Sequence, residues 1–263
     1  MRWIHCLAVG ALSAALAACT TSPTGRSQLT LMSDEQLDQM GAQAFAEYQQ
    51  ERTTVGGAPY RLAQCITREI VAALPAELQQ ENWQVRVFDD DSANAFALPG
   101  GYVGINTGLL EITENQDQLA SVIGHEIGHV LAHHANERAS TQSATNLGLS
   151  VLSSAAGLEG AGGQQVMAAL GMGAQYGILL PFSRSHESEA DTIGLRLMAD
   201  AGFDPRASIA LWQNMERAGG GQPPEWMSTH PSHGSRIAGL EAGMPEALQR
   251  YRQAGPAPDC GTP

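Results

Sequence analysis

His125-Glu126-Ile127-Gly128-His129 sets two imidazoles four residues apart, with a carboxylate beside the first. On an α-helix, residues four apart are offset by about 40°, so His125 and His129 present nitrogen donors to one point. Glu126 lies about 100° round from His125, close enough to reach a water held at that point without entering the ligand shell. Two imidazoles suit Zn2+, and a neighbouring carboxylate suits the general base of a hydrolase. A catalytic zinc site needs a third protein ligand and keeps one position open. Glu187 is the first choice, because Asp191 follows one turn later on the same face. From there Asp191 can accept a hydrogen bond from the far nitrogen of a ligating histidine and fix its tautomer. Glu189, about 200° from Glu187, faces elsewhere. His133 continues the 125, 129 face but sits a further turn along, so His133 and His134 read as surface or outer-shell histidines. His186 points off the Glu187 face, and His233 has no assignment.

The elements that must hold these groups suggest an α+β fold, mainly helical, with a small antiparallel sheet beside the HExxH helix. Ser33 opens an amphipathic segment toward Gln50, a Gly-Gly-Ala-Pro turn ends it, and a second helix covers Tyr60 to Leu74. Trp83 to Asp89, Ala95 to Leu98 and Tyr102 to Asn106 read as strands. A strand just before a zinc helix is suitably placed to bind an extended peptide by backbone pairing. Tyr102 and Asn106 either line such a groove or serve core packing. Asn115 or Thr113 caps the metal-site helix, which runs on toward Arg138. A Gly/Ala/Ser-rich interval from Ala144 to Gly177 holds two apolar helical stretches around a turn at Glu159 to Gly163. Helices then cover His186 to Ala201, Pro205 to Arg217 and Ser235 to Glu241.

These surroundings resemble a known family. HExxH with a downstream ExxxD at Glu187 and Asp191, Asn94-Ala95-Phe96-Ala97-Leu98-Pro99-Gly100-Gly101, Thr107-Gly108-Leu109-Leu110 and Ser183-Arg184-Ser185-His186 are similar to the HtpX and CAAX prenyl protease gluzincins. Within that family the chain most resembles periplasmic lipoprotein peptidases like LoiP and the protease domain of BepA, without the tetratricopeptide domain of the latter. The resemblance implies one Zn2+ per subunit and hydrolysis of peptide bonds by water that Glu126 deprotonates. It also assigns Thr229-His230-Pro231 and Arg236 to a downstream loop. There His230 approaches the zinc as an auxiliary transition-state group or as a displaceable ligand of a resting enzyme, and Arg236 organises the loop through salt bridges.

The start of the chain bears on location. Arg2, an apolar run from Ile4 to Leu16, and Leu16-Ala17-Ala18-Cys19 resemble a lipoprotein signal, with Cys19 lipidated after cleavage; an ordinary signal peptide cut near Ala18 is the alternative. Thr20 after the cysteine favours the periplasmic face of a bacterial outer membrane. This divides the chain into a signal (1–18), a tether (19–28), a peptidase domain (29–250) and a tail (251–263). Cys65 and Cys260 remain as a pair in an oxidising compartment, either bridged or as two free thiols. A net charge of -13 and a pI near 4.9 argue against nucleic acid or anionic lipid as a principal partner. Unfolded or misassembled envelope proteins are the expected substrates, with membrane association through the lipid anchor. A chaperone or assembly factor with latent protease activity is the competing expectation.

Overall fold

Trp83 to Asn106 carries three short β-prone runs, and they form the middle of a four-stranded sheet. In chain order the strands are β3 (Thr54–Val55), β4 (Gln84–Phe88), β5 (Ala95–Leu98) and β6 (Tyr102–Asn106), after a separate hairpin of β1 (Cys19–Thr21) and β2 (Ser27–Leu29). The helices are α1 (Asp34–Glu51), α2 (Gly57–Ala72), α3 (Ala76–Gln79), α4 (Thr107–Ile112), α5 (Gln116–Leu131), α6 (His134–Ala156), α7 (Leu180–Asp200), α8 (Ala207–Ala218) and α9 (Gly234–Ala254). The computed structural model describes residues 19–157, 164–166, 170, 180–218, 230 and 234–263. They fall into two compact units, one from Met1–Ser33 with His133–Ser185 and one from Asp34–Ala132 with His186–Pro263. The expected signal segment, the turn at Glu159 to Gly163, Thr229, Pro231 and His233 lie outside the described residues.

In the larger unit the sheet order is β3-β4-β6-β5, and the α+β class stands. The sheet is mixed rather than antiparallel, since β4 and β6 run parallel from Gln84↔Tyr102 to Phe88↔Asn106. The residues between β4 and β5 cross the end of β6, so β5 descends on the outside and β6 returns between them. Asp90 holds this crossing: its N–H donates to Thr107 Oγ1, and its carbonyl accepts from Thr107 Oγ1 and from the Gly108 N–H. A side chain at 108 would collide with the Asp91 carbonyl, so only glycine lets the chain pass this closely. β5 is thereby left at the sheet edge, packed alongside α5.

Helix α5 begins at Asn115, whose side chain accepts a hydrogen bond from the Gln118 N–H. Its Leu119, Ile123 and Ile127 repeat every four residues and are fully buried against Leu62, Ile66 and Ile70 of α2 and the sheet valines. Each such side chain contributes roughly 1.5–3 kcal/mol of burial. The stripe fixes the rotation of α5, and His125 and His129, two residues out of phase, emerge on the opposite side. The helix stops short of the expected Arg138. His133 takes a left-handed conformation (φ 50°, ψ 32°), and α6 starts anew at His134. Residues 132–138 contain neither Gly nor Pro, so no local breaker marks this junction.

At the other end, α9 runs through Pro245 to Ala254, well past the expected Glu241, so the tail begins after residue 254. Cys65 and Cys260 form a disulfide. The Cys260 N–H also donates to Gln116 Oε1 at the start of α5, tying the tail to both α2 and the metal-site helix.

The smaller unit corrects the tether reading of 19–28. Cys19–Thr21 and Ser27–Leu29 pair as an antiparallel hairpin around a turn closed by Ser22 N–H to the Arg26 carbonyl at 2.8 Å. Arg26 grips Glu137 of α6 with both guanidinium nitrogens at 2.5 and 2.6 Å, and Gln28 Nε2 adds 2.8 Å. Asn136 bonds both backbone groups of Met32, and Ser140 Oγ accepts from the Leu31 N–H. A Ser/Thr/Pro composition would leave the segment a solvated coil; the partners on α6 supply the free energy that orders it.

Candidate metal centre

α5 and α7 cross where both carry glycine. Gly124 and Gly194 approach so closely that a Cβ on Gly194 would lie 2.7 Å from the His125 backbone nitrogen. This crossing brings Glu187, two turns before Gly194, to the histidines. His125 Nε2 and His129 Nε2 are 3.1 Å apart, Glu187 Oε2 is 3.3 Å from the first and Oε1 is 3.5 Å from the second. Donors bound tetrahedrally to Zn2+ at about 2.0–2.1 Å stand about 3.3–3.4 Å apart. The chain's own spacing therefore fits such an ion, and no proton-sharing pair needs two imidazole Nε2 atoms face to face. His125, His129, Glu187 and His230 form the one group of possible metal ligands found among the described residues. His133, His134 and His186 stand outside it, although His134 and His186 are buried rather than on the surface.

Asp191 Oδ1 lies 3.0 Å from His125 Nδ1, so this nitrogen carries the proton and Nε2 is left as the donor to a metal. Arg236, 1% exposed, is the hub behind the ligands. Its Nε and Nη2 donate to Asp191 at 2.7 and 2.6 Å, its Nη1 reaches Glu187 Oε2 at 3.1 Å, and the same Nη1 donates to the His230 carbonyl at 3.1 Å. The guanidinium stacks on the Trp212 ring at 4.5 Å. Trp212, on α8, had no sequence signal, because nothing in its local pattern distinguishes a cation platform from an ordinary core aromatic.

Burial alone would push the Glu187 carboxyl up, but hydrogen bonds with His125 and His230 outweigh it and hold the group far below the usual carboxylate range. Asp191 follows the same balance: burial raises it, and the hydrogen bonds from Arg236 and His125 lower it further. For His125, burial works against the charged form, yet its bonds to Asp191 and Glu187 prevail and push its pKa up to about 9. The pocket is thus set for anionic ligands and a cation among them.

His230 Nδ1 lies 3.3 Å from His125 Nε2 and 3.0 Å from Glu187 Oε2, within reach of the same ion, while its Nε2 is 3.3 Å from Glu126 Oε1. The structure thus brings His125, Glu126, His129, Glu187, Asp191, His230 and Arg236 into one cluster. Tyr102 and Asn106 are not part of it. Tyr102 packs on Phe45 at 5.2 Å, and Asn106 Nδ2 bonds Ser92 in the β5 crossing, so the packing alternative holds for both.

Residues 61–243 match the model of Peptidase family M48. Among similar curated proteins, the mitochondrial metalloendopeptidase OMA1 of Bos taurus is 36% identical over 86% of this chain and 46% of its own length. OMA1 of Schizosaccharomyces pombe is 38% identical over 63% of this chain and 48% of its own. A β-barrel assembly-enhancing protease of Escherichia coli O157:H7 is 35% identical over 58% and 32%. The chain spans about half the length of the OMA1 relatives it matches. Because the matched span runs from α2 into α9 and carries every residue of the cluster, the chain belongs to Peptidase family M48.

Proposed function

We propose that the chain is a zinc-dependent endopeptidase, and the convergence of His125, His129 and Glu187 at tetrahedral spacing, with Glu126 beside them, carries this reading. Zinc, when bound there, supplies Lewis acidity that lowers the pKa of water and polarises the scissile carbonyl. Glu126 accepts the proton of the attacking water and returns it to the leaving amine. Asp191 keeps His125 in the ligating tautomer, and Arg236 holds both carboxylates and the His230 backbone in register. Among the described strands β5 is at the sheet edge, next to α5, where its outer backbone groups can meet an extended peptide.

The match to β-barrel assembly-enhancing proteases and the signal resembling a lipobox together support the finer reading. In it the chain is a BepA- or LoiP-like lipoprotein, held by Cys19 at the periplasmic face of a bacterial outer membrane. Its substrates are unfolded or misassembled envelope proteins, and nucleic acid is not among its partners.

One observation favours a second reading. His230 Nδ1 stands at ligand distance from His125 and Glu187, where a fourth protein donor displaces water. An enzyme resting in that state is latent and serves as a chaperone or assembly factor until His230 withdraws.

The test is cleavage of unfolded casein by the purified zinc-loaded chain, with folded Glu126→Gln as the matched control. Activity lost in the variant and with chelator supports the endopeptidase. Inactivity of both with zinc bound points to latency, and equal activity of both removes Glu126 from the mechanism.

A further inference from the structure

Helix α6 turns an apolar face outward. Ala144, Leu147, Gly148, Val151, Leu152 and Ala155 recur at the spacing of one helical stripe. All six are exposed, Leu147 at 65% and Val151 at 59%. The half-covered side of the same helix is instead Thr141, Thr145, Leu149 and Ser153. From Ala139 to Leu158 the chain contains no Asp, Glu, Lys or Arg, although it carries 27 acidic residues and a net charge of -13 overall. A neutral, apolar strip on an acidic protein is the part that an anionic surface does not repel. No described helix is long and apolar enough to cross a membrane.

The same helix is clamped to the chain's amino end. The hairpin that starts at Cys19 is fixed to the first turn of α6 through Arg26 and Gln28 on Glu137, and the residues after it, Leu31 and Met32, through Ser140 and Asn136, all within one compact unit. Whatever surface holds Cys19 therefore also holds α6 near it. We propose that the exposed Leu147–Val151–Leu152 face of α6 lies in the headgroup boundary of the bilayer, as an in-plane contact that acts together with the anchor. The choice of bilayer over protein rests in part on the proposed lipidation of Cys19.

The test uses the full chain purified from membranes and reconstituted on phosphatidylethanolamine/phosphatidylglycerol vesicles. Val151→Cys supplies a thiol for an environment-sensitive fluorophore, since Cys65 and Cys260 are bridged; Glu77→Cys, on the exposed part of α3, is the reference site, and the unsubstituted chain labelled in parallel gives the dye taken up at Cys19. Quenching by spin-labelled lipid at 151 but not at 77 is expected, and it falls about tenfold when Leu147→Glu and Leu152→Glu are added. Equal quenching at both sites overturns the proposal. So does fluorophore burial that rises with protein concentration in the absence of vesicles, which makes the face a contact between copies. A casein KM raised by the double variant with quenching unchanged overturns it too, by marking a substrate-binding face. Mass spectrometry of Cys19 judges the anchor separately: lipidated Cys19 with unquenched 151 sinks only the helix contact, and unmodified Cys19 with quenched 151 sinks only the anchor.

Discussion

Replacing Gly194 by alanine should open the metal site without replacing any ligand. The added Cβ would lie 2.7 Å from the His125 nitrogen and 2.8 Å from its Cα, whereas ordinary contact starts at 3.4 Å. The obstructing atoms are helix backbone and cannot rotate aside, so α5 and α7 must separate by roughly 0.7 Å, the difference between 3.4 and 2.7 Å. Glu187 rides on α7 and His125 with His129 on α5, so the carboxylate withdraws by a similar amount. Metal sites tolerate ligand displacements of only about 0.2 Å. Zinc affinity should fall by about 10–100-fold. The metal-free protein should lose about 1–3 kcal/mol to overpacking, against the gain of up to about 1 kcal/mol that alanine normally brings to a helix. Gly239→Ala on α9 is the control, because its Cβ would meet nothing within 4 Å, and it should be neutral or stabilising. Competition with a chromophoric chelator measures the affinity, and urea unfolding of the chelator-treated protein measures stability. Zinc bound by Gly194→Ala as tightly as by the wild type, with an unshifted midpoint, would refute the argument that this crossing sets the ligand geometry.

Arg236→Met should cost about 3–5 kcal/mol in urea unfolding of the metal-free protein, because Glu187 and Asp191 keep their burial and lose their cation. Arg236→Lys restores charge without the fork and should fall between; equality of Lys with wild type would show that charge alone matters. Zinc binding should depend on pH through His125. Its folded pKa of about 9 lies above the ordinary 6.5, so its contribution to metal-free stability is complete below about pH 6.5 and is lost as pH rises through 9. Because zinc takes the neutral ring, apparent affinity should climb by up to about tenfold per unit toward pH 9, and a plateau already reached at pH 7 would contradict this. Reduction of Cys65–Cys260, which closes 195 residues, should lower unfolding stability by roughly 2–5 kcal/mol, read as a shifted urea midpoint.

The ligands were legible because a helix converts spacing into direction: positions 125, 126 and 129, and 187 and 191, state their own geometry once the segments are helical. What escaped the sequence depends on distant partners. Nothing in Gln84–Asn106 says that β5 passes outside β6; Asp90 meeting Thr107 and Gly108 decides it. The tether composition of 19–28 hides a hairpin whose partner, Glu137, is 111 residues from Arg26. The break at His133 has no Gly or Pro to mark it, since the residue that turns left-handed there is a histidine. Trp212 and Arg236 likewise meet only in space.

The scattering of the cluster along the chain has a consequence for synthesis. A chain emerging from its amino end exposes the α5 histidines first, Glu187 and Asp191 some sixty residues later, and the guanidinium that neutralises them only at Arg236. Until that residue arrives, two carboxylates would have to be buried without the guanidinium that bonds both, which is unfavourable by several kcal/mol. The metal cluster therefore cannot close before the first turn of α9 has formed. An amino-terminal fragment that stops short of Arg236 therefore carries the histidines and both carboxylates without the group that draws them together.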